Sequence, residues 1–170
     1  NNPFGIGEGI YLRGLPSATP FETNVNITPD FDLEASNSER SDFLRTFRLV
    51  SESEWLTVPP AMYTSSAGKA FPARIDPSEL SHGLYSTRIL AYDDAKPATA
   101  GAELVIPVTV VVPMDPNEHG EADHAFELGP GDLSRTFLQV PLGANVVRLR
   151  VTQTGGGRNE FRTGAGSVSG

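Results

Sequence analysis

The sequence contains no cysteine. Disulfide staples, thiolate-bound zinc and thiol nucleophiles are therefore excluded. The compartment stays open, because a cysteine-free chain suits cytosol, periplasm and exterior alike. Basic residues are scarce: 13 Lys and Arg stand against 21 Asp and Glu, a net charge of −8. Nucleic acids and anionic membranes both select clustered positive charge, so neither is an expected partner. No apolar run approaches the roughly 20 residues of a membrane span. The first residues, "NNPFGIGEGIYLRG", hold no initiator Met, no basic leader and no apolar signal core. Either a small free-standing domain or a piece of something longer is expected.

What is present reads as strand. Gly (17) and Pro (14) together are too frequent for long helices and normal for short strands joined by turns. Ile6, Ile10, Tyr11 and Leu12 alternate with glycines. "NVNITPDF" carries Val25 and Ile27 on one face before Pro29 and Asp30 turn the chain. "DLEASNSERSD" is polar and reads as an exposed loop. In "FLRTFRLV", Phe43, Phe47 and Leu49 share a parity, with Arg45 among them. Trp55, the single tryptophan, is expected as the large apolar residue between two sheets. Phe71, Ala73 and Ile75 form another inward set, then Tyr85, Thr87, Ile89 and Ala91, then Ile106, Val108, Val110 and Val112. Pro107 cannot donate to a ladder, which predicts an edge or a bulge there. Roughly seven such strands with frequent turns predict an all-β, immunoglobulin-like antiparallel β-sandwich over residues 1–113.

The segment 114–123 is acidic and turn-rich, and is expected to be a linker. Strand signals resume in 124–152 ("HAFELGPG", "SRTFLQVPLGA", "NVVRLRVTQT"). Three strands make a poor core of their own, so an incomplete second β unit is expected. Residues 153–170 have Gly/Ser-rich linker composition.

Chemistry is sparse. No serine sits in a G-x-S-x-G elbow. His82 reads as a turn residue. Glu118, His119, Glu121, Asp123 and His124 are metal-capable types, but their spacing matches no helical H-E-x-x-H site, and they read as a solvated acidic linker. Asp93 and Asp94 with Asp115 and Glu118 could hold calcium, although no D-x-D-x-D-G loop is present. Gly129–Gly131 and Gly155–Gly157 lack the lysine of a phosphate loop and read as turns. Tyr11, Tyr63, Tyr85 and Tyr92 are the candidates for a carbohydrate groove; the exposure of the last three, with that of Phe161, tests the idea. No catalytic, cofactor-binding or metal residue is assigned.

The order of motifs adds to this. Asn1, Asn2 and Gly9 to Arg13, the block with Trp55, Pro59, Arg74, Asp76, Pro77, Leu80, Gly83, Leu84, Tyr85, Tyr92 and Asp93, and the later Ala125, Phe126, Pro130, Gly131, Arg135, Phe137, Val140, Pro141, Gly143, Ala144 and Val151 fall in one sequence. That sequence resembles the region after the catalytic domain of the tripeptidyl-peptidase II family of subtilisin-like serine peptidases. The resemblance covers about residues 1–152. It implies a non-catalytic fragment: an immunoglobulin-like domain, then the start of a galactose-binding-like jelly roll, in a parent that releases tripeptides from free N-termini. It also implies a catalytic triad lying upstream, an upstream protease domain as packing partner, homo-oligomer assembly and a cytoplasmic location. The alternative is a carbohydrate- or calcium-binding accessory module of a secreted bacterial enzyme.

Overall fold

Alternating β-branched and aromatic residues set the backbone of most of the first 112 residues. The computed structural model of the chain describes residues 9–13 and 19–152. Eight strands are described: β1 (Ile10–Arg13), β2 (Phe21–Ile27), β3 (Leu44–Ser51), β4 (Leu56–Thr57), β5 (Ala61–Ser65), β6 (Lys69–Ile75), β7 (Gly83–Asp93) and β8 (Leu104–Val112). They form two layers. One sheet has the order β1-β8-β7-β3-β5 and the other β2-β6-β4.

The parity expected from the sequence fixes which side chains meet. Phe47 and Leu49 of β3, Ile89 and Ala91 of β7, and Val108, Val110 and Val112 of β8 are buried on the larger sheet. Val25, Leu56, Phe71, Ala73 and Ile75 face them from the smaller one. The opposite parity of β7 carries exposed Ser86 and Arg88 and half-buried Leu90 and Tyr92. This is the period-2 division of a sheet with one wet face.

Three expectations are corrected in detail. Trp55 does not fill the centre of the core. It is half-buried at the approach to β4 and packs against the margin of the core, while Leu56 beside it is buried. In a two-residue strand, parity alone cannot say which neighbour points inward. The sandwich is also not wholly antiparallel: β1 pairs with β8 in parallel, from Ile10 opposite Val108 to Arg13 opposite Val111. Finally, the loop "DLEASNSERSD" contains a short helix, α1 (Asn37–Ser41). Its cause is local. The Glu39 amide donates to Ser36 Oγ at 3.2 Å, and the Ser36 amide donates to Glu39 Oε2 at 2.8 Å. That is a reciprocal capping box.

At Pro107 neither an edge strand nor a bulge is found: β8 lies between β1 and β7, and the proline sits just short of the β1 ladder. The β7–β8 register runs unbroken from Gly83 opposite Val112 to Ala91 opposite Leu104. The described β1 ladder starts only at Val108, one residue past the proline. Gly9 lies against this point with φ of 142°, and a Cβ there would stand 2.5 Å from the Pro107 carbonyl oxygen. Only glycine permits that approach.

Past β8 regular structure thins out. Met114 forms an isolated bridge with Leu138: the Met114 amide donates to the Phe137 carbonyl at 2.8 Å and the Gln139 amide to the Met114 carbonyl at 2.9 Å. Between residues 115 and 152 no other β pairing occurs among the described residues. The chain divides into two units, residues 1–140 and 141–170. In the described part of the second, Val146, Val147 and Leu149 are exposed. The tail assigned to 153–170 lies outside the described residues.

Candidate functional site

The three histidines are the natural start, because imidazole is the commonest general base and metal ligand. His82 ends the loop between β6 and β7. That loop is built by short-range bonds. The Asp76 amide donates to the Trp55 carbonyl (2.8 Å), the Ser78 amide to Asp76 Oδ1 (3.1 Å), and the Leu80 amide to the Pro77 carbonyl (2.9 Å). The Tyr85 hydroxyl then donates to the Ser81 carbonyl at 3.0 Å. Hydrogen bonds from the Ser78 hydroxyl and then its amide hold the Asp76 carboxyl below the usual carboxylate range.

The structure brings His82 against His124, although 42 residues separate them. His82 Nε2 lies 3.3 Å from His124 Nδ1, and the rings meet edge to face with centroids 5.1 Å apart. Phe126 lies tilted against His124, with ring centroids 5.8 Å apart. Both histidines are exposed. No local motif announces this pair, and in the sequence His82 reads as a turn residue.

The acidic stretch 118–124 does not converge. Asn117 organises its own turn, its Oδ1 accepting from the amides of His119 and Glu121 at 2.9 Å each. Among the described residues the His119 ring has Glu118 as its acidic neighbour, at 3.9 Å. Among the described residues no group of three or more His, Asp or Glu side chains is placed to hold a metal ion. The calcium reading loses Asp93 as well. That carboxylate points inward from the end of β7 and is buried. Its Oδ2 takes the Arg45 guanidinium at 3.4 Å, and its Oδ1 takes the Ala95 amide at 2.9 Å. Gly129–Gly131 is a turn closed by Asp132, whose Oδ2 accepts from the Gly129 amide at 2.9 Å. Gly155–Gly157 lies outside the described residues.

The tyrosines make no platform. Tyr11 and Tyr63 sit on β1 and β5, the two edges of the larger sheet. Four strand spacings put them roughly 19 Å apart. Arg48 stacks over Tyr92 at 4.6 Å, and Lys69 lies over the Tyr63 ring at 5.2 Å. Tyr85 is half-buried and packs against the core. Phe161 lies outside the described residues.

Sequence reasoning missed one further grouping. Ser53 Oγ donates to Thr87 Oγ1 at 2.7 Å, and Ser86 and Thr109 hydroxyls share a bond of 3.2 Å. Arg88 beside them is held bidentately by Glu52, at 2.7 and 3.1 Å. These hydroxyls pair with one another rather than with a base. They therefore tie strands together, and no activated nucleophile results.

The fold and its surfaces thus define an immunoglobulin-like β-sandwich domain. The family described as "Tripeptidyl-peptidase II, first Ig-like domain" matches residues 4–111. The chain belongs to that family. It is similar to tripeptidyl-peptidase 2 of Drosophila melanogaster, at 30% identity over 90% of this chain and 11% of the relative. It is similar also to tripeptidyl-peptidase 2 of Oryza sativa subsp. japonica, at 28% identity over 83% of this chain and 11% of that protein. A crystal structure of tripeptidyl peptidase 2 superposes with a TM-score of 0.57 at 31% identity, covering 65% of this chain and 9% of that one. The chain therefore spans about a tenth of the length of the relatives it matches.

Proposed function

We propose that this chain is a non-catalytic structural and interaction module of a tripeptidyl-peptidase II-like serine peptidase. It packs on the protease domain upstream and supports assembly of the parent into homo-oligomers. The observation that carries this is the family match to a first Ig-like domain over residues 4–111, in a chain spanning 11% of its relatives. The outer face of the larger sheet suits contact work, because it leaves Tyr11, Leu84 and Val105 each about half exposed. Residues 124–152 are read as the opening of a galactose-binding-like jelly roll, whose apolar Val147, Leu149 and Val151 await partner strands.

The test extends the gene upstream of Asn1 and assays release of tripeptides from a free N-terminus, with and without a serine-directed inhibitor. This chain alone is the control. Inhibitor-sensitive release by the long form only is the expected result. An inert long form sinks the reading. A mutant long form carrying Leu84→Asp and Val105→Asp, sized by sedimentation, tests the contact role: intact assembly in that variant removes the outer face from it.

A further inference from the structure

The His82–His124 contact is not explained by the needs of the sandwich, since both rings are exposed and lie off the core. Its geometry has a specific meaning for a metal ion. Two ligand nitrogens at about 2.0–2.1 Å from a tetrahedral centre are separated by about 3.3–3.4 Å. The observed Nε2···Nδ1 separation is 3.3 Å. We propose that His82 and His124 form a two-imidazole site for a borderline divalent cation of the zinc, nickel or copper class. Imidazole nitrogen suits these ions, whereas calcium and magnesium prefer oxygen.

Four observations support the assignment. The remaining coordination positions open to water, because both residues are exposed. Neither imidazole has a carboxylate of the described residues within 4.0 Å; among these the histidine in such a contact is His119, with Glu118. Among the described residues no acidic side chain therefore competes with a metal ion for either ring. The ligands also come from separate segments, the β6–β7 loop and the stretch after β8. A bound ion would cross-link the two and hold the path of the chain leaving the sandwich. Phe126 against His124 limits the ring's rotation and so prepares the pair.

The experiment titrates zinc chloride into the untagged 170-residue chain at neutral pH by calorimetry, in a buffer that does not chelate. One saturable site per chain is expected. His82→Ala and His124→Ala each weaken it by at least about tenfold, the lower bound for losing even an outer-shell partner of a ligand. His119→Ala leaves it within about twofold, and magnesium in excess does not compete. Imidazole nitrogen shifts on adding zinc, read by NMR in the unaltered chain, fall on His82 and His124 and spare His119. Absence of a saturable site overturns the proposal. So does wild-type affinity in His82→Ala, a stoichiometry of one ion to two chains, or loss of binding in His119→Ala alone.

Discussion

Two stretches of this chain are written in nearly the same code. In β8, Ile106, Val108, Val110 and Val112 alternate with Val105, Pro107, Thr109 and Val111. In residues 147–152, Val147, Leu149 and Val151 alternate with Arg148, Arg150 and Thr152. The first is a strand with β7 on one side and β1 on the other; of its inward residues Val108, Val110 and Val112 are buried and Ile106 is half-buried. The second has no β partner among the described residues, and Val147 and Leu149 are about 60% exposed, at 61% and 62%. Alternation qualifies a segment for a sheet, and only a facing layer makes it one. Proline in the first and its absence in the second do not reverse the outcome. Local propensity is weaker than the burial offered by neighbours.

The sharpest way to break this comparison is to truncate one apolar residue in each region. Phe71→Ala in β6, where Phe71 is 3% exposed, should cost about 3–5 kcal/mol of stability in urea denaturation. Leu149→Ala should stay within about 0.5 kcal/mol. Hydrogen exchange sharpens the same contrast: β8 amides should be protected to near the global limit, and those of 146–152 should exchange freely. Comparable protection in both would refute the difference drawn here. A downstream extension of the gene that protects 146–152 would supply the missing layer.

A smaller effect is expected at the end of β7. Asp93→Ala removes the acceptor of the Ala95 amide and of Arg45, and should cost about 1–3 kcal/mol. Asp93→Asn keeps an oxygen for the amide and should recover part of that. Equal losses for the two variants would mean that the charge, and not the amide bond, matters.

The smallest effect concerns α1, which stands on its cap rather than on burial. Hydrogen bonds from the Ser36 amide and then its hydroxyl hold the Glu39 carboxyl below its ordinary range. A carboxyl with a lowered folded value adds stability above the unfolded value and loses it as pH falls through the folded one. The Ser36 amide shift should therefore titrate on the acid side of the ordinary glutamate range, and Glu39→Gln should abolish that step. Ser36→Ala should loosen the helix by on the order of 1 kcal/mol. A Ser36 shift that is flat with pH would leave the capping box without an electrostatic role.

Legibility in the sequence followed the range of the interaction. The inward sets 87, 89, 91 and 106, 108, 110, 112 were readable, because period 2 is written in consecutive residues. The capping box of α1 was equally local, with Ser36 three residues before Glu39, yet the polar run hid it in what read as a loop. Trp55 lies at the core margin because side-chain size does not set depth, and β4 is too short for parity to decide. The parallel β1–β8 pair and the His82–His124 contact join residues about 100 and 42 apart, and no spacing rule encodes them. What was legible of function came from the order of motifs along the chain. No catalytic constellation could be read from the residues themselves.

The parallel pairing of β1 with β8 has a mechanical consequence. A load applied through the residues before Ile10 and those after Val112 pulls the two neighbouring strands in opposite directions along their length. The pairs from Ile10–Val108 to Arg13–Val111 then bear it together, in shear. An antiparallel pair pulled from one end would instead surrender its bonds one at a time, like a zip. Extension in that direction is thus resisted by all four pairs at once and yields only when the whole short ladder slips.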